Sequence, residues 1–352
     1  FVNGNNISEY GITITPTTQR VTEAEAYRNN ANILCSKTIL LSINGTIGNV
    51  ALYKGEPIML GKSACYINVS TKVNKHYIFH YLMMPKCQFY FTSELTGTTI
   101  KNLSLKSVRR TKVSLPNLKE QNRIAQLFDA INERIVTQNK IIDKLQSLIK
   151  GIMVELQKQG VDRGSWKKLS LGDVLSERNE RNTNLYQVFS VSVSQGIVNQ
   201  VDYLGRSFAA KDTSKYNVVH YGDLVYTKSP TGSFPYGIVK QSLNIDNVAV
   251  SPLYGVYEPR SFAIGAYLHE YFMSEINTHN YLHPLIQKGA KNTINITNQR
   301  FLENRVTMPV NSNELLLISK LLYSLNDKIK HVQNTLEEYH KQKQYLLRQM
   351  FI

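Results

Sequence analysis

Two stretches of the chain repeat apolar residues in alternating steps of four and three. The first runs through Ile124, Phe128, Ile131, Ile135, Gln138, Ile142, Leu145, Ile149, Ile152 and Leu156. The second runs through Ile318, Leu322, Leu325, Ile329, Val332, Leu336, Tyr339, Lys343, Leu346 and Met350, and only Gln138 and Lys343 interrupt the two stripes. A 3.5-residue repeat sustained over this length predicts a narrow coiled-coil seam that needs a partner helix. Each stretch opens with a Pro, then an Asn with Glu three residues beyond: Pro116, Asn117 and Glu120, then Pro309, Asn311 and Glu314. That is the pattern of an N-cap whose Glu can reach back to it. The pattern predicts two long antiparallel coiled-coil helices, over 116–158 and 309–352, with a polar linker from Gln157 to Gly164 after the first.

The helix starts superimpose at an offset of 194 (Asn117 on Asn311), and Asn132-Glu133-Arg134-Ile135 then falls on Asn326-Asp327-Lys328-Ile329. The blocks upstream, 1–115 and 159–308, echo each other as well. Ile39-Leu40-Leu41-Ser42 before Gly45-Thr46-Ile47-Gly48 matches Leu224-Val225-Tyr226-Thr227 before Ser229 to Ser233. Each reads as a buried strand, a polar Gly-containing turn and a second strand. Tyr77 to Met83 matches Tyr267 to Met273 as a short amphipathic helix, and Gly97 to Asn102 matches Gly289 to Ile294 ahead of each proline. The expected fold class is α+β, with two mixed, strand-rich domains separated by the helices and related by an internal pseudo-twofold repeat. Trp166 to Leu175 opens the second block without a counterpart in the first, and the chain begins at Phe1. An N-terminal portion of the first block, roughly 30 to 60 residues on the repeat comparison, is therefore expected to be missing.

Charge narrows the partner. The 352 residues hold 41 Lys plus Arg against 26 Asp plus Glu, a net +15, which favours a polyanion such as nucleic acid. Residues 1–115 carry 13 basic and 5 acidic residues, over half of that excess, whereas both helical stretches are nearly balanced. No basic, one-sided apolar helix of the membrane-surface type is present. No run reaches 18 apolar residues and no signal peptide opens the chain, so no membrane partner is expected. Three cysteines at 35, 65 and 87 suit a reducing, cytoplasmic setting better than a disulfide scaffold.

Catalytic constellations are scarce. His279 and His283 lack a Cys/His pair to complete a zinc set, and Gly45 to Gly48 lacks the Gly-Lys-Ser/Thr ending of a phosphate loop. Phe234-Pro235-Tyr236 lacks the flanking residues of an amino-methyltransferase loop, and no acidic cluster with Lys suggests a metal-dependent nuclease.

These residues carry a resemblance. Pro116-x-x-x-x-Gln121-x-x-Ile124-x-x-Leu127, then Asn132 to Ile135, resemble the specificity subunit of type I restriction–modification systems. So do the ending Leu346-Leu347-Arg348-Gln349-Met350-Phe351, the opening Trp166 to Val174 and the strand entry Gly222-Asp223-Leu224-Val225. The resemblance spans essentially the whole chain. Departures are the missing opening of the first domain, and Glu314 alone where the first helix has Glu120-Gln121. It implies two target-recognition domains, 1–115 and 159–308, each reading one half of a bipartite, asymmetric double-stranded DNA sequence, with the helices as a ruler. It implies two methyltransferase subunits carrying S-adenosylmethionine, and motor–nuclease subunits using ATP and Mg, as partners. This chain itself would supply no catalytic residue and hold no cofactor or metal.

Repeat equivalence and side-chain chemistry select the DNA-binding candidates. From the first block these are Asn44, Thr46, Asn49, Lys62, Thr98, Thr99 and Lys101. From the second they are Lys228, Ser229, Thr231, Ser233, Tyr236, Lys288, Lys291 and Asn292. Lys and Arg on phosphates would give affinity, and polar side chains at base edges discrimination. Rival readings are a coiled-coil scaffold that binds nucleic acid without sequence preference, a DNA-modifying enzyme with its own active site, and a specificity subunit of another restriction type.

Overall fold

The computed structural model describes residues 1–29, 33–97, 99, 101–288 and 294–351; for 287, 288, 294 and 295 it describes the backbone alone. The fold is α+β, and its tertiary contacts divide the chain into two compact units. Unit 1 is Phe1–Ile142 with His331–Ile352, and unit 2 is Asp143–Lys330. The division falls within the two long helices, so each unit takes a part of both.

In unit 1 the centre is an antiparallel sheet in which β1 (Thr38–Ser42) lies between β2 (Val50–Leu52) and β3 (Ala64–Asn68). All five β1 residues are buried, as a central strand with both faces covered requires. Helix α1 (Lys75–Met83) is started by the Asn74 side chain, which accepts from the Tyr77 amide at 3.0 Å. Helix α2 (Pro85–Ser93), the hairpin β4 (Leu95–Thr96) and β5 (Asn102–Leu103), and α3 (Leu105–Arg109) follow. Then the long helix α4 runs from Leu118 to Asp162.

Unit 2 repeats the core. Here β6 (Trp166–Ser170) comes first, then β7 (Leu175–Glu177), β8 (Leu224–Tyr226), β9 (Val239–Gln241) and β10 (Gly255–Pro259). The sheet order β9-β8-β10 reproduces β2-β1-β3, with β7 added beside β10. Helices α5 (Phe262–Met273) and α6 (Glu275–Leu282), the hairpin β11 (Gln287–Lys288) and β12 (Ile294–Asn295), and α7 (Asn298–Glu303) match the order in unit 1. Strand β13 (Arg305–Pro309) pairs with β6 and leads into the second long helix, α8 (Ser312–Gln349).

Both long helices begin as the sequence predicts. Asn117 Oδ1 accepts from the Glu120 amide at 3.0 Å, and Asn311 Oδ1 accepts from Asn313 and Glu314 amides at 2.8 and 3.2 Å. The reciprocal half of the expected capping box is replaced in α8, where Glu314 takes the Trp166 indole N–H at 2.8 Å. The expected linker from Gln157 to Gly164 is corrected: α4 continues through Asp162. Gly164 (φ +68) then ends it, its amide donating to Val161 O and that of Ser165 to Gly160 O, both at 3.0 Å. This is a Schellman ending, which satisfies the last carbonyls of a helix. Gly160 stays inside the helix because the Trp166 ring occupies the space where its Cβ would lie.

In unit 1 the N-terminal part of α4 lies antiparallel to the C-terminal part of α8. The Phe128 and Phe351 rings stack with centroids 5.5 Å apart, and farther along α4 the Arg134 guanidinium sits 5.7 Å from the Tyr339 ring centroid. Ile124, Ala125, Phe128, Leu347 and Phe351 join Tyr77, Phe79, Tyr81 and Leu82 of α1 and Ile39 and Leu41 of β1 in one core. Lys343, which interrupts the apolar stripe, is 2% exposed and ion-pairs with Glu9.

Each unit also tethers its first core helix to a long helix by a polar contact. In unit 1, His76 Nδ1 and His80 Nε2 contact the two Asp129 carboxylate oxygens at 2.7 and 2.8 Å. In unit 2 the repeat-equivalent of His80 is Glu270, which accepts from Asn326. Burial opposes ionisation of Asp129, yet the bonds from His76 and His80 hold its carboxyl well below the usual carboxylate range. Burial lowers the His80 pKa, against the pull of Asp129 and with help from Lys343 and His76. Both shifts are depressions, so both stabilise the fold above the unfolded-state pKa and are lost on acidification. For His80 that loss begins as pH falls through about 6.5, and for Asp129 only below about 3.9. The urea midpoint of unit 1 should therefore fall between pH 7.5 and 5.5, and His80→Gln should flatten part of that dependence. An unchanged pH profile in the variant would contradict the assignment.

Candidate nucleic-acid interface

The turn after β1 is tied down from within. Buried Ser42 donates its hydroxyl to Thr46 O and accepts from the Asn49 amide at 2.8 Å. Gly45 (φ +74) and Gly48 (φ +91) take left-handed conformations that suit glycine. Gln88 of α2 donates to Gly48 O at 3.0 Å and fills the space where a Gly48 Cβ would project. Neighbouring segments join the turn through the backbone. The Ile43 amide donates to Ser63 O at 2.9 Å, the Leu103 amide to Ile43 O at 2.8 Å, and Asn44 bridges Asn102. The turn, the Lys62 bend and the β4–β5 hairpin thus form one margin of unit 1. Thr46, Lys62, Thr99 and Lys101 are exposed on it and Asn44 is half-buried. Asn49 is exposed as well, and its side-chain amide donates to Ile7 O at 3.0 Å, which ties the turn to the N-terminal segment. Thr98 lies outside the described residues.

In unit 2 the corresponding loop, from Thr227 to Gly237, is longer and closed on itself. At its neck the Thr227 amide donates to Ile238 O and the Ile238 amide to Thr227 Oγ1, both at 3.1 Å. Thr231 and Phe234 pair amide to carbonyl at 3.0 Å in both directions, and the Tyr226 hydroxyl donates to Tyr236 O at 2.7 Å. Phe234 is buried as the anchor, which leaves Ser229, Pro230, Gly232, Ser233 and Pro235 exposed. Lys228 is a non-glycine residue in the left-handed region (φ 57), with Gly237 directly behind its amide. Burial pushes the Lys228 ammonium pKa down, while Glu177 pulls it up. The far side of the loop rests on α6 and the turn after it: Ser233 bonds Glu275, and the Tyr236 ring lies 5.3 and 6.0 Å from those of His279 and His283. The β11–β12 hairpin leaves from that turn and contains Lys288 in its backbone ladder. Lys291 and Asn292 lie outside the described residues.

Sequence reasoning passed over one basic group. Lys106, Arg109 and Arg110, on and just after α3, and then Lys112 are all exposed beyond the β4–β5 hairpin. The signal was available in the concentration of positive charge before residue 115. Among the described residues no group of three or more His, Cys, Asp or Glu side chains could hold a metal ion, and no helix is long and apolar enough to cross a membrane.

Comparison with known proteins places this architecture. Residues 3–147 match the family described as the type I restriction modification DNA specificity domain, and the chain carries that domain. It is 30% identical over 125 residues to the type I restriction enzyme MjaVIII specificity subunit of Methanocaldococcus jannaschii, covering 33% of this chain and 29% of that protein. It is 26% identical over 103 residues to the EcoBI specificity subunit of Escherichia coli, covering 29% and 21%. The aligned part thus spans less than a third of these curated relatives. The crystal structure of the type I system S subunit from M. genitalium superposes with a TM-score of 0.61 at 14% identity, over 90% of this chain and 83% of that one. Residues 3–147 thus match the domain family that the sequence resemblance named, and the chain shares the fold of the M. genitalium S subunit.

Two outcomes test the interface. Replacing Arg109 and Arg110 by Ala should lower the slope of log affinity against log salt by about 0.9 for each phosphate no longer neutralised, with sequence preference unchanged. Gly237→Ala places a Cβ 2.8 Å from the Lys228 amide nitrogen at a φ of +99, so the loop must open. It should weaken DNA binding, with the urea midpoint falling by the equivalent of about 1–3 kcal/mol.

Proposed function

We propose that this chain is the DNA-reading subunit of a type I restriction–modification complex, and that it recognises a bipartite, asymmetric duplex target. Each unit supplies one reader, and the margins around Thr46 and Ser229 face the major groove. The observation that carries this reading is the duplication itself. Two units with the same strand–turn–strand and hairpin order are each followed by a long helix, and the exposed turn residues differ between them. Two readers of different surface chemistry suit two different half-sites. At 1.5 Å per residue the 45 and 38 residues of α4 and α8 correspond to about 68 and 57 Å of helix. Helices of that length can separate readers by the roughly 34–36 Å of one DNA turn. They cannot be shortened elastically, so they would set the unread spacer.

In this reading the chain works in the cytoplasm and contributes specificity but no chemistry. Two methyltransferase subunits bring S-adenosylmethionine, and motor–nuclease subunits bring ATP and Mg. The test is selection from random duplex DNA by the chain co-expressed with its methyltransferase subunit. Two short enriched blocks at fixed separation are expected. Salt-sensitive retention of all sequences without enrichment would point instead to a scaffold that binds DNA non-specifically. Removing one turn from each long helix should change the preferred spacer and leave the half-site sequences as they were; an unchanged spacer would refute the ruler.

A further inference from the structure

Helix α2 of unit 1 and helix α6 of unit 2 hold the same place in their units, and a side-chain bond fixes their register. Gln88 donates to Leu82 O and Thr278 to Phe272 O, both at 2.7 Å and both six positions back, in the last turn of the preceding helix. Phe89 is therefore the counterpart of His279. In unit 2 the loop from Thr227 to Gly237 reaches across to this position. The Tyr236 ring stacks on that of His279 at 5.3 Å, and Ser233 donates to Glu275 at the start of α6.

Unit 1 has a shorter connection. Seven residues, 43–49, join β1 to β2, where twelve, 227–238, join β8 to β9. The short turn is held by Gln88 at Gly48 O, and the next residue, Phe89, is left 76% exposed. The charge around this ring suits an anion. Lys86, one turn back on the same face of α2, is exposed, as are Thr92 and Ser93 one turn on. Helix α2 contains no acidic residue, and Glu94, which follows it, accepts from the Ser107 hydroxyl at 2.7 Å. A phenyl ring has no donor or acceptor with which to read a base edge. The apolar group that the major groove offers it is the thymine C5-methyl group.

We propose that Phe89 is a specificity-determining residue of unit 1: its ring packs against a thymine methyl group in the half-site that unit 1 reads, and Lys86 binds a neighbouring phosphate. In unit 2 the same helix position supports the loop instead, so the two readers use it differently. The assignment rests on the DNA-reading role proposed above.

The test is the selection from random duplex DNA described above, run in parallel with the wild-type chain, Phe89→Ala and Phe89→Leu. At so exposed a position both substitutions should leave the urea midpoint unchanged. One enriched block should lose its preference for thymine at one position in Phe89→Ala and keep part of it in Phe89→Leu, with the other block unchanged in both. Uracil in place of that thymine removes only the methyl group. It should weaken wild-type binding about fourfold and leave binding by Phe89→Ala nearly as it was. Identical blocks from wild type and Phe89→Ala, or an equal uracil effect on both, would overturn the assignment and leave the DNA-reading role standing. Absence of any enriched block with the wild-type chain would remove that role, and the assignment of Phe89 with it.

Discussion

A helix with a narrow apolar seam cannot satisfy that seam by itself, and this need organises the molecule. Dispersion and apolar burial act only where a second surface lies within contact distance. In unit 1 that surface is the far end of the other long helix, with Phe128 stacked on Phe351 and the β1–α1 core packed against both. The candidate turn after β1 depends on the same packing at one remove. The core under the seam holds β1 and α1, β1 ends in Ser42, and Ser42 binds the turn that carries Thr46.

Much of this was legible because it is periodic or local. The steps of four and three located both helices, Asn117 and Asn311 marked their first turns, and the matching of Ile39–Ser42 with Leu224–Thr227 as buried strands followed from apolar runs beside polar turns. What escaped was either long-range or a matter of competition between partners. Lys343 is visible in the sequence as a break in the stripe, but its partner Glu9 lies 334 positions away. Glu314 fits a capping box by spacing, yet the Trp166 indole claims it. The polar stretch after Gln157 resembles a linker, but a glycine permits helix as readily as coil when an aromatic ring needs the space beside it, as at Gly160.

The candidate site divides in the same way. Turn residues such as Thr46 and Ser229 could be named from glycine spacing, because turn chemistry is local. That Lys62 and the β4–β5 hairpin stand beside the first turn could not, since it rests on the Ile43 and Leu103 backbone bonds between distant segments. Nor could the sequence show that the Asn49 side-chain amide donates to Ile7 O, a bond between segments 42 positions apart. The two units also show that a repeat conserves the position of a contact more strictly than its chemistry. Where unit 1 joins α1 to α4 through two imidazoles and a carboxylate, unit 2 joins α5 to α8 through a carboxyl and an amide.

The make-up of the units has a consequence for how the protein is born. Unit 2 is one continuous segment, Asp143–Lys330, whereas unit 1 joins Phe1–Ile142 to His331–Ile352. A ribosome emits the chain from its N-terminus at about 5–20 residues per second. The part of unit 1 made first therefore waits roughly ten seconds or more, with Ile124 and Phe128 uncovered, until Leu347 and Phe351 emerge. By then unit 2 has had the time to fold. Closing unit 1 then costs less loop entropy than the 188 intervening residues imply, because a folded insert already constrains their ends. A helix synthesised after unit 2 is thus the one that completes unit 1.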